Sequence, residues 1–138
     1  MAIEPLILTI IRLASLAWDV PSDLIAAIID VESSWNINAV GDRDKEGEPQ
    51  AFGLMMLHIE GAGHGYPVDL LLNPAFNIFL GTKYLKYCMK MHPYNIKLAI
   101  SSYNQGPGGA AKRGYGFTSS YVENVLNRRR EYFEEIKN

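Results

Sequence analysis

Cysteine is nearly absent from this sequence of 138 residues, in which Cys88 is the only one. A single thiol cannot form an internal disulfide or a thiolate metal cluster, so an apolar core has to stabilise the fold. A chain of this length can enclose such a core and has the size of one domain. We therefore predict a single folding unit over residues 1–138.

The sequence also lacks a strong excess of charge of either sign, because its formal net charge is -2 at pH 7. A nearly neutral chain is poorly suited to broad electrostatic capture of nucleic acid. Two short basic clusters, Lys112–Arg113 and Arg128–Arg130, are interpreted as solvated surfaces. Nucleic acid is therefore not a predicted partner.

Long apolar runs are missing as well, and no stretch approaches the roughly 18 to 20 uninterrupted apolar residues of a membrane-spanning helix. The most apolar segment, Ile3–Ala17, contains Glu4 near its start and Arg12 in its interior. A secretory signal would begin with basic residues instead. This pattern predicts a structural helix, with neither stable membrane insertion nor a clear signal peptide.

Helical periodicity is the main pattern that the sequence does contain. After Pro21, the residues Ile25, Ile28, Ile29 and Glu32 recur at helical spacing, so Glu32 continues an apolar stripe. Further helices are predicted over Phe76–Met91, Leu98–Tyr103 and Val122–Phe133, with Gly106–Gly109 stopping the second of these and Asn36–Gln50 forming a loop. Strand-like alternation is weak, which predicts an all-α domain with long loops.

Glu32 is the first candidate for chemistry. A carboxylate on the buried stripe of a helix is unfavourable unless it is paired or protonated. The C-terminal end of a helix also disfavours negative charge, and Ile28, Ile29 and Trp35 offer apolar surroundings. These influences raise a carboxyl pKa, as cleavage of a glycosidic bond by an acid requires. The alternative is a glutamate at a helix end that turns to solvent.

Four segments in this order resemble a known family. They are Glu32-Ser33-Ser34-Trp35-Asn36, Phe52-Gly53-Leu54-Met55, Ser102-Tyr103-Asn104-Gln105-Gly106-Pro107-Gly108 and Tyr121-Val122. The sequence is similar to the soluble lytic transglycosylases and goose-type lysozymes of glycoside hydrolase family twenty-three. The resemblance extends over about residues 20–135 and implies a lysozyme-like, mainly α-helical fold with a substrate cleft.

The resemblance also implies roles for individual residues. It makes Glu32 the general acid and Tyr121 a tyrosine that hydrogen-bonds near the acid. The segment Gly53, Leu54 and Met55 is expected to line the sugar cleft, where Gly53 would let the backbone approach substrate. Met56 stands where the family usually has a glutamine, so an amide contact to the sugar is missing.

Tyr103 and Asn104 match a tyrosine–asparagine pair whose asparagine reaches the cleft. From spacing alone, Tyr103 and Tyr121 would be core aromatics and Asn104 a helix C-cap.

Gly41-Asp42-Arg43 resembles the goose-type lysozymes more closely, in which the aspartate helps to position the attacking water. His58 stands where that group has a second aspartate. An inverting hydrolase needs a second carboxylate roughly 6.5 to 9.5 Å from the acid, and Asp42 is the candidate. The alternative is a solvated loop acid.

No metal or other cofactor is predicted. His58, His64 and His92 are separated by six and twenty-eight positions and match no metal-binding motif. His64, which lies among glycines near the cleft segment, is expected to bind sugar.

The sequence thus predicts a monomeric muramidase that binds peptidoglycan glycan strands and cuts between N-acetylmuramic acid and N-acetylglucosamine at the bacterial cell wall. Hydrolysis is preferred over lytic transglycosylation because Asp42 is present. Such an enzyme would suit a phage endolysin, a virion or bacterial wall remodelling. Two alternatives are the same fold acting on chitin oligosaccharides, and an inactive glycan-binding or structural phage component.

Overall fold

The computed structural model describes residues 2–136, which fold into seven α-helices, one short 3-10 helix and three two-residue strands. The helices are α1 (Pro5–Trp18), α2 (Ser22–Ser33), α3 (Val68–Leu71), α4 (Pro74–Met91), α5 (Ile96–Gln105), α6 (Pro107–Arg113) and α7 (Ser119–Ile136), with the 3-10 helix at Gly116–Thr118. The strands are β1 (Val40–Gly41), β2 (Ala51–Phe52) and β3 (Leu57–His58).

Side-chain caps explain where three of the helices begin. The Glu4 carboxylate accepts hydrogen bonds from the backbone N–H groups of Leu6 and Ile7 at the start of α1. Asn73 and Asn95 cap α4 and α5 in the same manner. Such caps satisfy N–H groups that have no partner within the helix. The predicted helices around Ile25, Phe76, Leu98 and Val122 are confirmed, as is the structural helix within Ile3–Ala17.

Helix α2 lies at the centre of the fold. Its six consecutive residues Leu24–Ile29 are all fully buried, as expected for a helix covered on all sides. It packs against α1 and, most extensively, against α7, while α4 packs against α1 and α5. No helix in the described part of the chain is long and apolar enough to cross a membrane.

The three strands form a small antiparallel sheet in the order β1-β2-β3. Val40 pairs with Phe52, and Phe52 pairs in turn with Leu57. The chain turns between β2 and β3 at Gly53, where φ is +84°. A side chain at Gly53 would collide with Asn77 and the backbone of Leu71, so the turn requires glycine.

The structure departs from the sequence-based expectations at three places. The predicted loop Asn36–Gln50 contributes strand β1. Gly106 ends α5, as expected, but α6 begins directly after it because Pro107 suits the first position of a helix. Phe133 is 54% exposed whereas Tyr132 is 4% exposed, so Tyr132 belongs to the buried face of α7.

Asn77 on α4 fixes the turn between β2 and β3. Its side chain is fully buried, and its Nδ2 donates to the carbonyl oxygens of Phe52 (3.0 Å) and Leu71 (2.8 Å). Its Oδ1 accepts a hydrogen bond from the backbone N–H of Met55 at 2.8 Å. One side chain therefore satisfies three backbone groups that would otherwise be buried without partners.

We predict that Asn77→Ala destabilises the protein by about 3 kcal/mol or more, because each buried polar group left without a partner costs roughly 1–3 kcal/mol. For a chain of this size the melting temperature should fall on the order of 10 °C. Asn124→Ala, on the exposed face of α7, is the matched control for thermal unfolding. A decrease no larger than in this control would contradict the role of Asn77.

Candidate active site

Glu32 lies at the C-terminal end of α2, one residue before the helix ends at Ser33. The chain reverses direction immediately afterwards, because Ser34 and Trp35 both adopt left-handed backbone conformations with φ of 50° and 67°. Such a conformation costs about 1–2 kcal/mol for each L-residue, so contacts elsewhere must stabilise it. The acid is therefore positioned at a tightly bent segment rather than along a regular helix.

A cavity of about 290 Å³ opens beside Glu32. Its walls come from the loop after β1, the segment around β3, helix α4 and the junction of α5 with α6. The residues that line it are Glu32, Asp42, Met56, Leu57, His58, Glu60, Gly61, Ala62, Tyr84, Tyr103, Asn104, Gln105 and Gly106. Three carboxyl groups and several hydrogen-bonding side chains thus face one concave surface.

The Glu32 carboxyl has the electrostatic character of a proton donor. Its pKa is raised from the ordinary 4.5 to about 7, mainly because burial penalises the charged form. A hydrogen bond from Tyr121 lowers the pKa, and the negative charge of Asp42 raises it. The position at the negative end of the α2 dipole further disfavours the carboxylate.

Tyr121, in the first turn of α7, donates its hydroxyl proton to Glu32 Oε2 at 2.8 Å. Burial and the charge of Glu32 raise the pKa of Tyr121 well above its usual value, so the phenol remains a donor. The hydroxyl thereby fixes one oxygen of the carboxyl and leaves the other for a reacting group. The structure brings Tyr121 and Glu32 together, as the resemblance implied.

The segment Gly53–Met56 divides between the core and the cavity. Gly53, Leu54 and Met55 are buried and are not part of the cavity wall. Met56 lines the cavity with a left-handed backbone (φ 49°), and its methyl group packs over Gly41. The expectation that the first three residues line the cleft is therefore corrected: they support the wall from behind.

Tyr103 and Asn104 occupy neighbouring positions near the end of α5 but face different environments. Tyr103 is 7% exposed, and its hydroxyl donates to the carbonyl oxygen of Met55 at 2.6 Å. Asn104 is exposed on the cavity wall, where its amide can contact a bound molecule. Tyr103 thus holds the Gly53–Met56 segment, while Asn104 is available for binding.

Asp42 lies in the loop after β1 and lines the same cavity as Glu32. It is solvent-exposed, and its backbone is left-handed with φ of 50°. Its negative charge contributes to the raised pKa of Glu32, although less than burial does.

The histidine of the cavity is His58 rather than His64. His64 is exposed and does not line this cavity, so its expected contact with sugar stays a prediction. His58 Nδ1 accepts a hydrogen bond from the backbone N–H of Glu60 at 3.0 Å. Because that N–H can only donate, Nδ1 carries no proton, and the proton of the neutral ring is on Nε2.

His58, Glu60 and Tyr84 are cavity residues that the sequence did not single out as contacts. Helical periodicity predicted Tyr84 only as part of the helix Phe76–Met91, and no motif indicated that it lines the cavity. A signal for His58 was present, because it stands where goose-type lysozymes have their second aspartate.

No group of three or more histidine, cysteine, aspartate or glutamate side chains within residues 2–136 has the arrangement of a metal site. The side chains that line the cavity include the Glu32 carboxyl, the exposed carboxyl groups of Asp42 and Glu60, and neutral hydrogen-bonding groups. Among these, Glu32 has the raised pKa of a group that can protonate a leaving oxygen.

Known proteins resemble the chain along nearly its whole length. A family model described as the transglycosylase SLT domain matches residues 9–120. The membrane-bound lytic murein transglycosylase C of Mannheimia succiniciproducens is 30% identical in an alignment 132 residues long that covers 88% of this chain and 37% of that protein. The protein of the same name from Salmonella arizonae is 30% identical in an alignment 134 residues long that covers 86% of this chain and 36% of that protein.

Two solved structures share the fold. The 70 kDa soluble lytic transglycosylase of Escherichia coli has a TM-score of 0.78 at 25% identity, covering 93% of this chain and 24% of its own. An inactive mutant of the lytic transglycosylase Slt from Pseudomonas aeruginosa has a TM-score of 0.77 at 25% identity, over 94% and 24%. The predicted all-α, lysozyme-like fold is confirmed. The chain spans only about a third of the curated relatives' length.

We predict that Tyr121→Phe raises the pKa of Glu32 above about 7, because it removes the interaction that lowers this pKa. The ring packing survives, and a hydrogen bond contributes only about 0.5–1.5 kcal/mol net, so stability should change little. Carbon-13 NMR of the glutamate carboxyl groups, assigned with Glu32→Gln, measures the titration. Tyr94→Phe, at a fully exposed position, is the control. A large loss of stability with an unchanged Glu32 titration would indicate a core aromatic instead.

Proposed function

Because this chain belongs to the transglycosylase SLT domain family, we propose that it cleaves peptidoglycan by lytic transglycosylation, with Glu32 as the general acid. The bond broken is the β-1,4 link between N-acetylmuramic acid and N-acetylglucosamine. The observation that carries the proposal is the buried Glu32 carboxyl, with a pKa of about 7 and a hydrogen bond from Tyr121, in the wall of a cavity.

In the first step, the protonated Glu32 donates its proton to the glycosidic oxygen as the bond to the muramyl C1 breaks. The glucosaminyl unit leaves as an alcohol, and positive charge develops at the muramyl ring. Glu32 becomes a carboxylate at that moment. Tyr121 stabilises this carboxylate because its hydroxyl already donates to Oε2 at 2.8 Å.

In the second step, the muramyl 6-hydroxyl attacks C1 and transfers its proton to the Glu32 carboxylate. A 1,6-anhydromuramyl end forms, and Glu32 regains its proton, so no atom is gained or lost at the enzyme. The nucleophile belongs to the substrate and lies close to C1, which gives it a high effective concentration. One acid that also serves as the base is sufficient for this sequence of steps.

Substrate contacts in this proposal come from the exposed wall of the cavity. Asn104 offers an amide to the acetamido or hydroxyl groups of the sugars, and His58 offers its Nε2–H as a donor. Met56 supplies an apolar surface where a glutamine is usual in the family. The cavity residues all come from one chain, so the proposal treats the protein as a monomer.

Hydrolysis is the second candidate, and the position of Asp42 favours it. Asp42 lines the same cavity and raises the pKa of Glu32, so a water between the two carboxyl groups could be activated for attack. The sequence alone favoured this outcome. We now rank transglycosylation first because both curated relatives are named lytic murein transglycosylases.

The substrate determines the site of action, which in this proposal is the bacterial cell wall. Both curated relatives are named membrane-bound proteins. Chitin remains an alternative substrate because it also carries acetamido groups, and an inactive glycan-binding protein remains the alternative to an enzyme.

We predict that Glu32→Gln lowers the rate of peptidoglycan cleavage by about 10² to 10⁴, because the amide has no proton to donate. Binding of glycan strands and the melting temperature should change little. Glu60→Gln is the matched control, since Glu60 is a second, exposed glutamate in the same cavity. Cleavage by the wild type should decrease as pH rises through about 7, where Glu32 loses its proton.

Release of soluble fragments from purified sacculi measures this rate, with chitin oligomers as a second substrate. Retention of more than about a tenth of the wild-type rate by Glu32→Gln would refute a role for general acid catalysis, whose removal costs at least about 10². A wild type that binds sacculi without cleaving them would support the glycan-binding alternative.

We predict that the products carry anhydromuramyl ends, and that Asp42→Asn leaves their proportion unchanged, because the attacking hydroxyl belongs to the substrate. Mass spectrometry of digested sacculi distinguishes the two reactions, since an anhydro product is lighter by one water. Predominantly reducing ends, lost on Asp42→Asn, would establish hydrolysis instead. Asp44→Asn, in the same exposed loop, controls for the loss of a nearby charge.

A further inference from the structure

A chain of side-chain hydrogen bonds connects the two sides of the bent segment that follows Glu32. Trp35 Nε1 donates to the hydroxyl of Tyr132 at 3.0 Å, and this hydroxyl donates to Asp30 Oδ2 at 2.8 Å. The rings of Trp35 and Tyr132 meet edge to face with centroids 5.7 Å apart. The Tyr132 hydroxyl therefore bonds to side chains on both sides of Glu32 in the sequence.

The segment between Asp30 and Trp35 requires such a connection. Ser34 and Trp35 both adopt left-handed backbone conformations, which are unfavourable for L-residues unless contacts elsewhere stabilise them. The backbone N–H of Ser34 donates to the carbonyl oxygen of Asp30 at 2.9 Å. Asp30 thus stabilises the bend through its main chain and, through Tyr132, anchors the side chain of Trp35.

Helix α7 contacts this region at two points. Tyr121 and Tyr132 are eleven residues apart, which corresponds to about three helical turns, so both lie on one face of α7. Tyr121 bonds to the Glu32 carboxyl, and Tyr132 bonds to the turn that carries Glu32. Helix α7 thus contacts both the Glu32 carboxyl and the last turn of α2 that carries it.

We propose that Tyr132 is a positioning residue for Glu32: its hydroxyl holds the last turn of α2 and the Ser34–Trp35 bend so that the Glu32 carboxyl stays against Tyr121 and faces the cavity. This inference rests on the proposed function. Tyr132 would then affect catalysis although it does not line the cavity.

The fold itself should survive without this hydroxyl. The Asp30 side chain is 20% exposed and also lies 3.7 Å from Arg128 Nε, and the Trp35 side chain is only partly buried. Both groups can therefore bond to water after Tyr132→Phe, while the buried ring continues to fill the core. What is lost is the hydrogen-bonded link between the side chains of Asp30 and Trp35, while the backbone bond from Ser34 to Asp30 remains.

Tyr132→Phe should lower kcat for sacculus cleavage by between about tenfold and about 100-fold, because a small misplacement of a reacting group costs up to about 100-fold. KM and the circular dichroism spectrum should stay close to those of the wild type. The Glu32 titration by carbon-13 NMR should differ from that of the wild type, because both the burial of the carboxyl and its bond to Tyr121 change, and the basic limb of the pH–rate profile should move with it. Tyr94→Phe, which removes a fully exposed hydroxyl, should change none of these.

Trp35→Phe tests the same link from its other end, because it removes the N–H donor and keeps an aromatic ring. It should lower kcat in the same direction, and the double variant should lose no more than the more damaged single variant. This second variant keeps the proposal testable should Tyr132→Phe fail to fold.

A folded Tyr132→Phe protein with kcat within about twofold of the wild type, or additive losses in the double variant, would overturn the proposal, because coupled residues are non-additive. If the wild type does not cleave peptidoglycan, the proposed function fails separately. In that case the NMR titration alone tests the positioning role of Tyr132, and a Glu32 titration unchanged by Tyr132→Phe refutes it.

Discussion

The Glu32 carboxyl is kept away from water at the C-terminal end of α2, and the rest of the site is organised around this unfavourable burial. The six buried residues Leu24–Ile29 embed α2 in the core and so fix the helix end that carries Glu32. The hydrogen bond from Tyr121 offsets part of the cost of burial without abolishing the increase in pKa. A side chain that destabilises the fold when ionised is thereby available as an acid near neutral pH.

At two places in the cavity wall, a buried residue that supports the wall is followed in the sequence by a residue that faces the cavity. Met55 is fully buried and bonds to Asn77 and Tyr103, whereas the next residue, Met56, faces the cavity. Tyr103 and Asn104 repeat this arrangement at the end of α5. Each exposed contact is thus held by a buried neighbour, which keeps the wall rigid enough to position a polymer.

The role of Asp42 distinguishes the two proposed reactions, hydrolysis and lytic transglycosylation. A hydrolase uses a second carboxyl group to direct water, whereas a transglycosylase uses a hydroxyl of its own substrate. Asp42 lies in an exposed loop, and it influences Glu32 through its charge across the cavity rather than through a direct hydrogen bond. The charge of Asp42 also raises the pKa of Glu32, although less than burial does, and either reaction needs a protonated Glu32.

The sequence by itself determined the helices and singled out Glu32 as the candidate acid. Helical periodicity and capping are local, so α2, α4, α5 and α7 could be predicted from residues close in the chain, and a glutamate on the apolar stripe of α2 marked an unusual carboxyl. Only the tertiary structure decided that Met55 faces the core, that His58 rather than His64 lines the cavity, and that Tyr132 rather than Phe133 is buried. These orientations depend on partners far away in sequence, such as Asn77 and Asp30, and no local pattern encodes the hydrogen bonds that such distant residues form.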